Sequence, residues 1–443
     1  MAVLRVLSYF CLGSIALAGA GSAQENWPQW RGPDGNGVST ATGLPVTWSE
    51  TENINWKTPL PSWSGSTPIV WGDKVFVVSP SETTNNAEAS GRGRFSDPGG
   101  DTLLLLCLAK GDGKILWERE LDKGNTIGRK GNSTSPSPVT DGTHIWAVTG
   151  TGSVTALSMD GTVVWSKNIQ KEFGPFGLNF GYGSSPVLHD GKLFAQVLHG
   201  YRTDDPSYAV AFDALTGKLL WRVERPTDAL SETPDAYNTP ALLKVGGNTQ
   251  LVLCGGGFVS AHDPIDGKEI WRASGLDPDR NEYYRTIASA VAVDGMVYAP
   301  TRQRPLLAVR GDGIGDVTTS HLAWKWDQPY GTDVPTPACD GKFFYMVDDK
   351  GVATCIDAKS GAIIWGPEHT VRGPFSASPV LADGKLYATN EAGVTVVLSA
   401  GREFKILATN TLPGEDHTLS SLAVSGSQLF LRTPSYLYCI GKN

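Results

Sequence analysis

This sequence of 443 residues is short of catalytic signatures. It has no His-Glu-x-x-His pair, no Gly-rich phosphate loop and no Gly-x-Ser-x-Gly elbow. The local signals for zinc protease, P-loop and α/β-hydrolase chemistry are therefore missing. No Cys-x-x-Cys-His occurs, which excludes an attached c-type haem. His144, His189, His199, His262, His321, His369 and His417 are scattered and form no ligand spacing. No long stretch keeps apolar residues at i, i+3, i+4 and i+7, so little helix is expected. No run of five like charges exists, which excludes a charged interaction tail. The net charge of −8 argues against nucleic acid or an anionic membrane surface as partner.

Long apolar runs are also scarce. Val6 to Ala18 is mostly apolar, follows Arg5, and leads into the small residues Ala20, Gly21, Ser22 and Ala23. It is shorter than the roughly 20 residues a membrane span needs and reads as a signal peptide over 1–23, cleaved after Ala23 or Ala20. Cys11 lies inside the run, not just after it, which argues against a lipoprotein cleavage site. The expectation is an exported protein of the periplasm or cell envelope, with no transmembrane span in the mature chain. The five remaining cysteines are an odd set. Cys107, Cys355 and Cys439 stand at a repeat position held elsewhere by Ala156, Ala211, Ala261 and Ala308. Sharing with Ala marks a small buried packing position, so free core thiols are expected and no metal site.

What is plentiful is glycine, proline and aromatic residues: 52 Gly, 28 Pro and 9% Phe, Trp and Tyr. They fall into a repeat. One half is Pro, a short apolar run, an Asp-Gly turn and a second apolar run, as in Pro186–Phe194 and Pro379–Tyr387. This reads as a β-hairpin. The other half is a strand, Asp-Ala-x-Thr-Gly-Lys, two apolar residues and Trp, fullest at Ala211–Trp221. The Gly supplies the positive φ of a second turn. Two hairpins make a four-stranded antiparallel blade, and radial repetition of blades makes a propeller. Hairpins start at Pro68, Pro138, Pro186, Pro240, Ala290, Pro337, Pro379 and Leu422, giving eight blades. The outer-strand tryptophans expected to dock between blades are Trp56, Trp117, Trp165, Trp221, Trp271, Trp326 and Trp365. Trp56 has no blade before it, and the last copy stops one strand short. The strand around Trp56 is expected to pair beside 436–440, closing the ring and hiding two sheet edges. The organisation is thus a signal peptide (1–23), an N-terminal extension (24–54) and an all-β, eight-bladed propeller (55–443).

Asp-Ala-x-Thr-Gly-Lys-x-x-Trp resembles the tryptophan-docking repeat of pyrroloquinoline quinone (PQQ) dehydrogenases, the quinoproteins. The same repeat occurs in the non-enzymatic propeller subunit of the outer-membrane β-barrel assembly machinery. The opening Asn-Trp-Pro-Gln-Trp-Arg-Gly-Pro-Asp-Gly-Asn-Gly-Val at 26–38 looks like the first segment of a subgroup of PQQ-like repeat proteins with no settled activity. In the dehydrogenases the repeat is scaffold, so it does not decide activity. The adjacent Cys pair of alcohol-oxidising members is absent here, and the chain is shorter than those enzymes. The resemblance implies a non-catalytic, protein-binding or scaffold module, similar to an outer-membrane assembly factor and working with other envelope proteins. No catalytic residue and no cofactor is expected. The alternative is a PQQ-dependent oxidoreductase, with PQQ and calcium in the central channel and a carboxylate base.

The long segments between strands all fall on the face opposite the Asp-Gly and Thr-Gly turns. Insertions gathered on one face mark a binding face. Its expected contact residues are Arg129, Tyr182, Tyr237, Tyr284, Arg285 and Arg372, of the types that dominate binding hot spots.

Overall fold

The computed structural model describes residues 26–82, 97–302, 304–412 and 417–442. The signal-peptide reading of 1–23 and most of the long loop near 80–101 lie outside the described residues. Eight antiparallel blades follow in chain order, each with four strands in the order inner to outer. Blade 1 is typical: Ile69–Trp71, Lys74–Pro80, Thr102–Ala109 and Ile115–Lys123. Blades 2 to 7 repeat it over 139–168, 187–224, 241–274, 291–326, 338–369 and 380–411. Blade 8 has Ala423–Ser425, Gln428–Arg432 and Tyr436–Gly441, and its outer strand is Ile54–Pro59 from the start of the chain. Trp56 pairs with Cys439, Lys57 with Tyr438 and Thr58 with Leu437, as the closure argument expects. One short helix, Ile169–Phe173, is present among the described residues.

The small repeat position has a tertiary reason. Cys107 pairs with Trp117, Ala156 with Trp165, Ala211 with Trp221, Cys355 with Trp365 and Cys439 with Trp56. A small residue opposite the indole leaves room where the outer strand bulges. All five described cysteines are free and buried, and burial pushes each thiol up to about 12.

Most docking indoles then reach the next blade directly. Trp56 donates to the Lys110 carbonyl, Trp165 to Ala214, Trp221 to Pro264 and Trp365 to Gly401, at 2.9 to 3.1 Å. In blade 5 the docking residue is Trp324, not Trp326. Trp324 pairs with Ala308 and donates to the Ala358 carbonyl at 2.9 Å, whereas Trp326 sits two residues further on and donates to Tyr330. Trp271 departs in another way. The turn after it in space is enlarged, so its indole donates to Gln250 and the Gln250 amide reaches the Gly311 carbonyl.

Nearer the axis, one hydroxyl residue per blade stands just before each hairpin start. The Thr67 N–H donates to Ser137 Oγ, Ser137 to Ser185, Ser185 to Thr239 and Thr239 to Ser289. Ser289 continues to Thr336, Thr336 to Ser378, Ser378 to Ser421, and Ser421 returns to Thr67, all at 2.9 to 3.1 Å. The belt satisfies a buried backbone donor in every blade.

Residues 26–48 do not trail from the propeller. They cross its turn face. The Arg31 guanidinium is buried and donates to the carbonyls of Pro379 and Pro337, both at 2.6 Å. Gly37 has φ +76°, and a Cβ there would lie 1.9 Å from Arg31, so glycine is required. Trp27, Leu44 and Trp48 are buried in the same core as blade 8.

Candidate binding face and channel mouth

The crossings between blades place the candidate residues around the loop-face mouth of the channel. A two-stranded ribbon, Ile127–Gly128 with Gly131–Asn132, carries Arg129 and Lys130 at its tip. It lies so close to the next crossing that a Cβ on Gly128 would sit 1.9 Å from the Phe180 carbonyl oxygen. Two guanidinium groups converge on the Phe180 ring: Arg129 at 5.3 Å and Arg285 at 5.2 Å from its centroid. Arg285 also meets Glu232 at 3.4 Å, with both side chains buried. Lys130 pairs with Glu391 at 2.6 Å, and Glu391 also accepts from Ser376.

Two further carboxylates close the mouth. Asp349 accepts the backbone N–H of Asp333 at 2.7 Å and of Val334 at 3.2 Å. Desolvation outweighs these bonds and pushes Asp349 up to about 6. Asp333 is also raised by desolvation, against the pull of Arg285, Arg302, Arg129 and Lys130. Asp235 holds the neighbouring crossings by accepting from Asn179, Gly200, Tyr201 and the Tyr237 hydroxyl.

Arg129, Tyr182, Tyr237 and Arg285 thus line one cavity of about 340 Å³, with Lys130, Phe180, Asp333 and Asp349. Tyr182 is buried and stacks on Phe176 at 4.7 Å. Tyr284 and Arg372 do not join them. Tyr284 is half-buried and its hydroxyl is bonded to the Arg304 carbonyl; Arg372 is exposed. Lys130, Asp333 and Asp349 were missed from the sequence. Asp349 follows Asp348 in a Lys-Gly turn, which reads as ordinary turn chemistry. Among the described residues no group of three or more His, Cys, Asp or Glu is placed to hold a metal ion. No helix among them is long and apolar enough to cross a membrane.

The raised Asp349 gives a pH prediction. An acid whose folded value of about 6 exceeds the ordinary 3.8 adds stability below the lower value and loses it as pH rises through the higher one. Between pH 4.5 and 7 the native protein should therefore lose about 2 kcal/mol at this residue. Asp349→Asn keeps one acceptor oxygen and should flatten that part of the curve. Urea unfolding of both proteins across this range tests it, and parallel curves would contradict the assignment.

Tryptophan docking, the Ser/Thr belt and the closing strand together define an eight-bladed propeller of the quinoprotein repeat class. A family model described as outer membrane protein assembly factor BamB matches residues 101–367 and 316–403. The chain belongs to this family. The outer membrane protein assembly factor BamB of Yersinia pestis is 24% identical over 363 residues, 79% of this chain and 80% of that protein. That of Alkalilimnicola ehrlichii is 29% identical over 153 residues, a match spanning 34% of this chain and only 37% of the relative. Among solved structures, BamB from Moraxella catarrhalis superposes with TM-score 0.57 at 14% identity, covering 87% of this chain and 98% of that one. A europium-containing methanol dehydrogenase superposes with TM-score 0.69 at 11% identity, covering 94% and 98%. At such identities the two structures share the fold with this chain and carry nothing finer.

Proposed function

We propose that this chain is a non-catalytic propeller of the cell envelope that holds partner proteins of outer-membrane assembly on its loop face. The observation that carries this reading is the exposure of Tyr201 (44%), Leu230 (46%) and Tyr283 (57%). They stand on the long loop of blade 3 and on the crossings from blade 3 to 4 and from 4 to 5. Large apolar side chains gathered on neighbouring surface loops mark a protein-binding patch. The name shared by the curated relatives, outer membrane protein assembly factor, supports the same class of partner.

The quinoprotein alternative fits the mouth poorly. A calcium-held quinone needs carboxylates free to converge on the ion. Here Lys130 already neutralises Glu391 and two backbone N–H groups hold Asp349, so of Glu391, Asp349 and Asp333 only Asp333 keeps a buried oxygen without a hydrogen-bond partner.

The test is partner capture from envelope extracts. Tyr201→Ala, Leu230→Ala and Tyr283→Ala together remove about 2 kcal/mol or more per hot-spot side chain. Capture should fall while the melting curve stays unchanged, because none of the three is buried. Tyr182 and Arg285 are unsuitable for this test, since both are buried. Capture of every partner by the triple variant would overturn the reading. So would calcium-dependent oxidation of an alcohol or sugar by protein reconstituted with PQQ.

A further inference from the structure

The N-terminal segment shows how the inner edge of a blade is covered. In blade 1 the Val70 N–H donates to the Trp27 carbonyl at 2.9 Å. The equivalent N–H of blade 2, Thr140, donates to Pro28 at 2.9 Å. In blade 6 Cys339 donates to Asn36 at 3.1 Å, and in blade 7 Leu381 donates to Gly37 at 2.8 Å. Val38–Ser39 then runs parallel to Leu381 and Ala382 as an added inner strand. Four blades therefore give the same N–H, two residues after the hairpin start, to a carbonyl of one extended segment.

In blade 8 the equivalent Val424 also gives its N–H to no carbonyl of the segment, but it is buried in the core that holds Leu44 and Trp48. Blades 3, 4 and 5 are left out as well. Their equivalent residues are Leu188, Leu242 and Ala292, in the same register: Leu188 opposite Leu193, Leu242 opposite Leu251, Ala292 opposite Val297. The shared register turns these N–H groups away from the second strand, as in Val70 opposite Val75. Among the described residues no backbone carbonyl accepts from them. They face a groove of about 820 Å³ that lies between blades 3 to 5 and the 29–36 segment. Leu188 and Leu242 are partly exposed there and Ala292 is buried like Val70 and Leu381, although all three line the groove. A second feature marks the same sector. The outer turns of blades 3, 4 and 5 expose Leu215 (57%), Ile265 (74%) and Ile314 (86%). The corresponding turn residues in blades 1 and 6 are Gly111 and Lys359.

We propose that the turn face over blades 3 to 5 docks a partner protein through an extended segment, whose carbonyls accept from Leu188, Leu242 and Ala292. The segment adds to the inner edges as 26–39 does in the other blades, a form of strand addition. The groove is continuous with that existing contact. The body of the partner covers Leu215, Ile265 and Ile314, which lie beyond the reach of a small ligand in the groove. This surface is on the opposite side from the loop-face patch, so the two readings stand or fall separately.

Hydrogen exchange on the full chain, residues 1–443, tests it. The probes are end-blocked heptapeptides with Val alternating with Thr, Ser or Lys, and a synthetic peptide of residues 26–39. A binding probe should slow exchange at Leu188, Leu242 and Ala292. Leu242→Pro removes one donor that is not part of the ladder and should weaken that probe about fivefold, one hydrogen bond's worth. Should Leu242→Pro fail to fold, Leu242→Arg fills the groove and serves in its place. No protection by any probe overturns the proposal, as does protection that survives the Leu242 variant. Protection of these amides in peptide-free protein also overturns it. If that protection rises with protein concentration the occupant is a second copy, and if it does not the occupant is this chain's own residues before 26.

Discussion

A chain shortened to begin after Leu60 is expected to fail to fold as a stable monomer. The deletion removes the fourth strand of blade 8, so Tyr436–Gly441 becomes an open edge with unpaired backbone groups. It also removes the buried side chains of Trp27, Leu44, Trp48, Trp56 and Leu60. At about 1.5–3 kcal/mol each, their loss is on the order of 10 kcal/mol. That is comparable with the whole stability of a typical protein, about 5–15 kcal/mol. Arg31 leaves with them, so the carbonyls of Pro337 and Pro379 lose their donor. Blade 8 would still meet blade 1 through the apolar core that Val75 and Val77 share with Phe430 and Leu431, the bond from Ser421 to Thr67, and the Arg432 guanidinium, which donates to the carbonyls of Ser62 and Val78 and to the Ser79 hydroxyl. Size-exclusion chromatography and urea unfolding of the shortened chain are the measurements. A monomer as stable as the full chain would show that the closing strand is dispensable.

Two turn glycines that look alike in the sequence should respond very differently to Val. Gly191 and Gly361 both have positive φ, +69° and +74°. At Gly191 nothing lies within 4 Å of an added Cβ. Gly191→Val should therefore cost only the left-handed backbone penalty, about 1–2 kcal/mol. At Gly361 the added Cβ would lie 2.8 Å from the indole of Trp324. Val there must push out a buried tryptophan whose N–H is bonded to Ala358. The cost becomes about 4 kcal/mol or more, since displacing a large core aromatic adds to the backbone strain. Gly217 under Trp165 and Gly267 under Trp221 belong to the same group. Denaturant midpoints of the two Val variants measure the gap, and equal shifts would mean that indole docking contributes little.

The hairpins, the blade count and the partner of the orphan strand were legible because each rests on interactions a few residues apart or on a pattern repeated with them. Asp-Gly and Thr-Gly turns are local chemistry, and alternation decides which face of a strand is buried. Even the Cys and Ala position was visible before its reason, because the repeat aligned residues that later proved to oppose tryptophan. Trp326 shows the limit of this reading. Two tryptophans stand two residues apart on one strand, and only the bulged register puts Trp324 opposite Ala308.

The mouth of the channel was not legible to the same degree. Of the six loop-face residues expected there, the structure draws Arg129, Tyr182, Tyr237 and Arg285 to one cavity and leaves Tyr284 and Arg372 outside. Its pairs join distant segments: Lys130 with Glu391 across 261 positions, Arg285 with Glu232 across 53. No turn rule or alternation constrains such partners, because they meet only once all eight blades have closed. The sequence by itself determined the blades, their number and the strand that closes the ring, since these follow from local turns and short-range pairing. Which side chains share the mouth, which inner edges the N-terminal segment covers, and which it leaves open were decided by the tertiary structure alone, since ring closure sets those distances.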